Sequence, residues 1–192
     1  MPTVVVATGN PGKLQEMQAH LGDLGWTLEL KPDAIEIDET GTTFLANARL
    51  KAAGVAQALG RWAIADDSGL AVEALDGAPG LYSARYADSD SARIARLLKE
   101  LGDHPNRQAQ FICAIALAAP DGAIRAETQG RCAGEILTAP RGNQGFGYDP
   151  IFYLPALGKT FAELSPSEKD IHSHRGVAFR QIMPALVGLA LD

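Results

Sequence analysis

Positive charge is in short supply in this 192-residue chain: 17 lysines and arginines stand against 23 aspartates and glutamates, a formal net charge of −6. A protein whose main task is gripping a nucleic-acid backbone needs the opposite balance, so no nucleic acid is expected as a partner. Any bound polyanion must be held by local chemistry. Cysteine is scarcer still. Cys113 and Cys132 are the two in the chain, with no Cys-x-x-Cys and no nearby histidine, which excludes a zinc finger or disulfide framework and fits a reduced setting. No stretch approaches the roughly 18 apolar residues of a membrane span, and Met1-Pro2-Thr3-Val4-Val5-Val6 carries no basic segment. No membrane partner is expected, and the expected location is cytoplasmic. Repeats, low-complexity tracts and linker-like composition are absent too. With 46% hydrophobic and 21% charged residues, residues 1–192 are composed like one ordinary globular domain.

What is present reads as alternating strands and helices. Thr3 to Thr8 is a β-branched run ending at Gly9, after which Leu14, Met17, Leu21 and Leu24 recur at helical spacing. Lys31 to Thr43 reads as a loop closing on Asp38-Glu39-Thr40-Gly41. A helix then starts near Thr42, buries Phe44, Ala48, Ala52, Val55 and Leu59, and stops at Gly60; Asn47 and Lys51 sit four apart beside that stripe. Trp62 to Ala65 reads as a short strand that delivers Asp66-Asp67-Ser68 to its end. Ser91 to Leu101 has helical period, and Phe111 to Ala118 with Ile124 to Cys132 flank Pro120-Asp121-Gly122 as a hairpin with a buried central strand. A glycine-dense segment from Gly142 to Pro150 leads into Ile151-Phe152-Tyr153. Ser165-Pro166-Ser167-Glu168 is a capping box that puts Lys169 in the opening turn of a short helix, and Ser173 caps a last helix that Pro184 should kink.

Four groups of residues carry candidate chemistry. Thr8-Gly9-Asn10-Pro11-Gly12-Lys13 joins a strand to a helix, so backbone N–H groups and a lysine face one point, as an anion site needs. The spacing is not that of a Walker A loop, and a plain tight turn is the alternative. Asp38-Glu39 and Asp66-Asp67 offer carboxylates from two parts of the chain, the donor type that Mg²⁺ takes together with phosphate oxygens. Solvated caps are the bland version. Lys169, His174 and Arg175 cluster at two helix starts, where an anionic ligand would offset their unfavourable placement; unpartnered surface charge is the other reading. Phe146-Gly147-Tyr148-Asp149 combines rings to stack on a flat base with a carboxylate to accept from ring N–H groups, or else is a bend with core aromatics. His20, His104 and His172 suggest no role.

Six collinear segments resemble the inosine triphosphate pyrophosphatase family: Thr8 to Lys13, Glu39-Thr40-Gly41 with Asn47 and Lys51, Ala65 to Leu70, Gly80 to Tyr86, Gly145 to Pro150, and Ser173 to Gly176. The resemblance covers nearly the whole chain. It implies an α/β fold, an elongated mixed sheet flanked by helices in two lobes with the active site between them. It also implies Mg²⁺, a homodimer, and hydrolysis of dITP, ITP and XTP to the monophosphate and pyrophosphate. Through it, Thr8, Gly9, Asn10, Pro11, Gly12 and Lys13 would hold the triphosphate. Asp67 would bind metal and accept a proton, Glu39 would be the second metal-side carboxylate, Lys51 would lie near the attacked phosphate and Ser68 would touch substrate. Phe146, Gly147, Tyr148, Asp149, Lys169, His174 and Arg175 would hold the base and its neighbours. Asn143-Gln144 and Asp170-Ile171-His172 depart from the family's usual small or apolar residues without changing the spacing.

The implied chemistry is metal-assisted attack of water at the α-phosphorus, with choice of base made at purine position 6. Related septum-formation pyrophosphatases act on other nucleotides, but the Phe146 to Asp149 and Ser173 to Arg175 segments argue against them. A catalytically silent nucleotide sensor has no need of Asp67, Glu39 and Lys51 together.

Overall fold

The computed structural model describes residues 2–189. Seven strands form one mixed sheet in the order β2-β1-β3-β4-β5-β6-β7, flanked by helices as the expected α/β class requires. β1 (Thr3–Val6) pairs in parallel with β2 (Thr27–Leu30) on one side and with β3 (Ala63–Val72) on the other. α1 (Pro11–Leu21) links β1 to β2, and α2 (Phe44–Leu59) links β2 to β3. Right-handed crossovers running first outward and then back past β1 put these two helices on opposite faces of the sheet. β4 (Gln108–Ala118) and β5 (Ile124–Ile136) are sheet neighbours joined by a tight turn. β6 (Phe152–Leu154) and β7 (Lys159–Thr160) complete the sheet in antiparallel pairing. α3 (Asp90–Leu101) precedes β4; α4 (Pro166–His172) and α5 (His174–Val187, with Pro184 inside it) close the chain.

Local chemistry sets the helix boundaries. Asn10, Thr43, Ser89 and Ser165 are N-caps whose side chains accept helix N–H groups. Gly60 ends α2 at φ 62°, where a side chain would be strained. The Ser165–Glu168 capping box with Pro166 at the first turn forms as its sequence dictates.

The contacts fall into two compact units: Met1–Asp67 with Cys113–Gly130 and Ala178–Asp192, and Ser68–Ile112 with Arg131–Val177. In the first, Val4, Val6 and Ile64 pack with Met17 and Leu21 of α1 and with Phe179 and Ile182 of α5. In the second, Leu70, Val72, Leu97, Phe111, Phe152 and Phe161 share a core. No described helix is long and apolar enough to cross a membrane.

Four sequence expectations need correction. Asp66 and Asp67 do not end a short strand; they lie in the middle of a ten-residue β3. What ends beside them is β1, whose last pair with β3 is Val6 with Ile64, so the acids lie just past a carboxyl strand end, the place where ligands of open α/β sheets collect. β2 and β7 were not foreseen, and the hairpin strands extend beyond their expected ends. Lys169 belongs to the last turn of seven-residue α4 rather than its opening turn, where the helix dipole favours a cation.

Candidate functional site

Strand parity organises the first group of side chains. Consecutive strand residues point to opposite faces. Ile64 shares a core with α1, so Asp66, two residues on, faces the same way and meets Lys13 Nζ of that helix at 3.0 Å. Asp67 faces the other way, toward α2, where Asn47 and Lys51 stand one helical turn apart on a common face. Lys51 Nζ donates to Asp67 Oδ1 at 3.1 Å and to Glu39 Oε1 at 2.8 Å. Asn47 Nδ2 donates to Asp67 Oδ2 at 3.3 Å. Asn47 is itself oriented, because the Gly41 N–H donates to its Oδ1 at 2.8 Å. A Cβ on Gly41 would lie 2.6 Å from that oxygen, so glycine is what permits the approach.

The electrostatics follow from this packing. Burial raises the Asp67 carboxyl above its ordinary value, outweighing the Lys51 and Lys13 charges that pull it down, while Glu39 adds to the rise. Burial is also the largest single influence on Lys51 and pulls its ammonium down. Asp67, Asp66 and Glu39 together outweigh it, so the net shift is upward and Lys51 stays charged. The group therefore holds a more basic carboxylate beside a permanently cationic lysine. Glu39 and Asp67 both accept from the Lys51 ammonium, and carboxylates of this kind, with water and phosphate oxygens, are the donor type that a hard divalent metal takes. Among the described residues no group of three or more His, Cys, Asp or Glu is arranged to hold a metal, so such an ion would draw its remaining ligands from elsewhere.

The turn before α1 differs from its expected form in one respect. The Gly12 and Lys13 N–H groups donate to Asn10 Oδ1 at 2.9 and 3.4 Å, and the Asn10 N–H donates to Thr8 Oγ1 at 3.1 Å. These amides are already capped, and the turn's charged group, the Lys13 ammonium, stands 3.0 Å from Asp66 Oδ2.

A second group lies in the other unit. Asp149 Oδ2 accepts from the Phe146 N–H at 3.0 Å and from Lys169 Nζ at 2.7 Å. Lys169 Nζ in turn lies 4.8 Å from the Phe146 ring centroid, within cation–π range. Gly145 makes the bend possible: its φ is +76°, and a Cβ there would stand 2.0 Å from Asp149 Oδ2. Tyr148 is buried and its hydroxyl donates to the Ser83 carbonyl at 2.9 Å, so this ring is core packing and not a stacking surface. His174 is also buried, stacked on Phe111 at 4.7 Å. Arg175 is 2% exposed and donates to Ser68 Oγ at 3.1 Å; Ser173 Oγ accepts the Gly176 N–H at 3.1 Å, capping α5.

The structure thus joins Glu39, Lys51 and Asp67 in one cluster with Lys13 close enough to act on it, and joins Ser68 to Arg175 and Phe146 to Asp149 and Lys169 in the other unit. Asn47 and Asp66 were noticed in the sequence but given no role of their own; the structure makes Asn47 a partner of Asp67 and Asp66 a partner of Lys13. The i,i+4 spacing of Asn47 from Lys51 was the available signal for the first. Strand alternation through Asp66-Asp67 was the signal for the second, and it is readable only once β3 is known to be continuous.

The chain as a whole is similar to known proteins. A model of the Ham1 family matches residues 4–185. The chain is 61% identical over 192 residues to a dITP/XTP pyrophosphatase of Synechocystis sp., covering 100% of this chain and 99% of that protein. It is 58% identical over 186 residues to a dITP/XTP pyrophosphatase of Nostoc sp., covering 97% and 95% respectively. The solved structure of a HAM1 protein from Coxiella burnetii superposes with a TM-score of 0.90 at 43% identity, covering 98% of this chain and 100% of that one.

Proposed function

The chain belongs to the Ham1 family, and from that premise we propose that it is a nucleoside triphosphate pyrophosphatase. It hydrolyses the non-standard purine nucleotides dITP, ITP and XTP to the monophosphate and pyrophosphate and so clears deaminated purines from the nucleotide pool. The observation that carries this reading is Lys51 Nζ set between Glu39 at 2.8 Å and Asp67 at 3.1 Å, in a chain 61% identical end to end to a dITP/XTP pyrophosphatase.

Each residue of the first group has a task at the phosphate end. Lys13, and the turn Thr8-Gly9-Asn10-Pro11-Gly12 that launches it, holds the triphosphate. Lys51 turns its charge to the phosphate under attack. Asp67, made more basic by burial, takes a proton from the attacking water as the pyrophosphate leaves, and Asn47 keeps that carboxylate oriented. The donor set suits Mg²⁺, which demands hard oxygen ligands and keeps several places for water and phosphate. Held by Glu39 and Asp67, it would neutralise phosphate charge as a Lewis acid.

The second group suits the base. A 6-oxo purine presents an acceptor at position 6 and a donor at N1, which complements a cation beside a carboxylate, here Lys169 and Asp149; adenine presents the reverse pattern. A site built for one pattern leaves buried groups unpaired with the other, a larger penalty than a lost methylene. Phe146 offers the ring face, Gly147 and buried Tyr148 shape the bend, and Ser68, His174 and Arg175 complete the substrate side of this unit. The resemblance also supports a cytoplasmic homodimer, which sedimentation of the purified chain tests.

A substrate panel tests the reaction. With Mg²⁺, dITP, ITP and XTP should release pyrophosphate as first product well ahead of dATP; guanine shares the 6-oxo edge, so any discrimination against dGTP depends on its 2-amino group. Orthophosphate as first product would move cleavage to the γ-phosphate and overturn the reading.

A further inference from the structure

The segment from Gly142 to Pro150 carries three left-handed glycines, Gly142, Gly145 and Gly147, at φ 81°, 76° and 62°. Such a stretch loses more conformational freedom on ordering than any other residues of its length, so it holds one shape only if its backbone is tied down. Two of its ties are local to the second group: Asp149 accepts the Phe146 N–H, and Tyr148 reaches the Ser83 carbonyl. Others are backbone bonds, among them the Gln144 N–H to the Ala162 carbonyl at 3.1 Å and the Asp149 N–H to the Phe146 carbonyl at 3.3 Å; a further one comes from α3. Asp90, the first residue of α3, accepts the Gly147 N–H on Oδ2 at 2.7 Å, 57 residues away in sequence. Its other oxygen, Oδ1, is held by Arg93 Nη1 at 2.6 Å. Arg93 is anchored in turn, its Nε donating to the Ala87 carbonyl at 3.0 Å. The carboxylate is thus aimed by one fixed partner and spends its second oxygen on the peptide between Phe146 and Gly147.

We propose that Asp90 is a positioning residue for base recognition: by fixing the Phe146–Gly147 peptide it presents the Phe146 ring and the Asp149 carboxylate in one conformation. The inference rests on the reading of residues 146–149 as the base-handling loop. Asp90 acts through the loop backbone and touches no reacting atom. Its removal should therefore weaken recognition of the base and leave the phosphate end unaffected.

The test is steady-state hydrolysis of dITP by the full chain, with inorganic tripolyphosphate as a competitive inhibitor that has phosphates and no base. Asp90→Ala should raise KM for dITP roughly three- to tenfold, the scale of one charge-assisted hydrogen bond in a half-exposed place. Its kcat should stay within about twofold and its tripolyphosphate inhibition constant should not move. Asp90→Asn should recover part of the loss, since its carbonyl oxygen still accepts the Gly147 N–H. Ser89→Ala removes the α3 N-cap hydrogen bond to Ala92 without touching Gly147 and should leave KM unchanged.

An unchanged KM in both Asp90 variants overturns the inference. So does an equal rise in Ser89→Ala, which would trace the effect to helix stability, or a parallel rise in the tripolyphosphate constant. Wild-type protein that fails to hydrolyse dITP overturns the functional reading itself, and this inference with it; wild-type hydrolysis with an unmoved Asp90→Ala defeats this inference alone.

Discussion

In the first unit the charged side chains, Glu39 of the loop before α2 excepted, hang from regular elements, whereas in the second Lys169 and Arg175 are helical but the Phe146–Asp149 group lies on an irregular loop. Asp66 and Asp67 are separated by strand alternation, Asn47 and Lys51 are brought together by helix pitch, and Lys13 follows a capped first turn. Helix and sheet hydrogen bonds of the backbone fix those positions. Around Phe146 the order is reversed. Left-handed glycines give the chain its bend, and side-chain hydrogen bonds from Asp149, Tyr148 and Asp90 hold it. Chemistry that needs charges in fixed places is put on strand and helix, while recognition of one base among several is left to a loop whose shape depends on single hydrogen bonds. Substitutions in the first group should therefore cost turnover with the fold intact, and those in the second should cost recognition and local stability.

The largest effect is expected from Asp67→Asn, which removes a charge and a base at nearly constant volume. It should lower kcat for dITP by about 10²–10⁴, the usual scale for losing a general base, with circular dichroism and thermal unfolding near those of the parent. Turnover close to normal would place the water-activating group elsewhere and break the contrast. Lys13→Ala comes next: an apparent KM raised by about tenfold, the scale of one charge-assisted contact to phosphate, with a similar rise in the tripolyphosphate inhibition constant. An unmoved constant would reduce the glycine turn to a structural corner.

Gly145→Ala probes the loop. Its positive φ and the 2.0 Å approach to Asp149 Oδ2 predict a loss of roughly 1–3 kcal/mol in unfolding free energy, as a disfavoured backbone region requires, together with a higher KM for dITP. Unchanged stability would show that the bend is not constrained as described. The smallest effect concerns pH. The Lys159 ammonium, joined by the Ser165 N–H and hydroxyl, holds the Glu168 carboxyl down at about 2 from an ordinary 4.5. A depressed carboxylate contributes to stability above its unfolded value and loses that contribution as pH falls through the folded one. Glu168→Gln should thus be slightly less stable than the parent at pH 6, and the difference should shrink below pH 4.5 and vanish near pH 2 in thermal melts. A difference that persists at pH 2 would mean that the capping geometry, and not the charge, supports the start of α4.

Much of the first group was legible in the sequence. The Thr3–Val6 run, the start of α2 within two residues of Thr42 and its stop at Gly60 state their local structure through propensity or capping, as the Ser165–Glu168 box does in the other unit. The continuity of β3 was not legible, because Asp, Ser and Gly are poor strand formers and pairing within the sheet overrides them. β2 was passed over although Trp26, Leu28 and Leu30 alternate with Thr27 and Glu29, because a four-residue edge strand with one paired neighbour and little burial gives only a short signal. In the second group the residue types were readable but their division of labour was not. Sequence alone cannot tell that the Tyr148 and His174 rings are buried while Phe146 is half-exposed, since an aromatic residue reads the same in either setting. Asp90 gave no signal beyond that of an acidic residue at a helix start.

Hydrolysis of dITP in water enriched in ¹⁸O tests the central claim most directly, because it shows which phosphorus the water attacks. Attack at the α-phosphorus, the step assigned to the Asp67 and Lys51 cluster, predicts one labelled oxygen in the deoxyinosine monophosphate and none in the pyrophosphate. Label in the pyrophosphate, or in released orthophosphate, would contradict it.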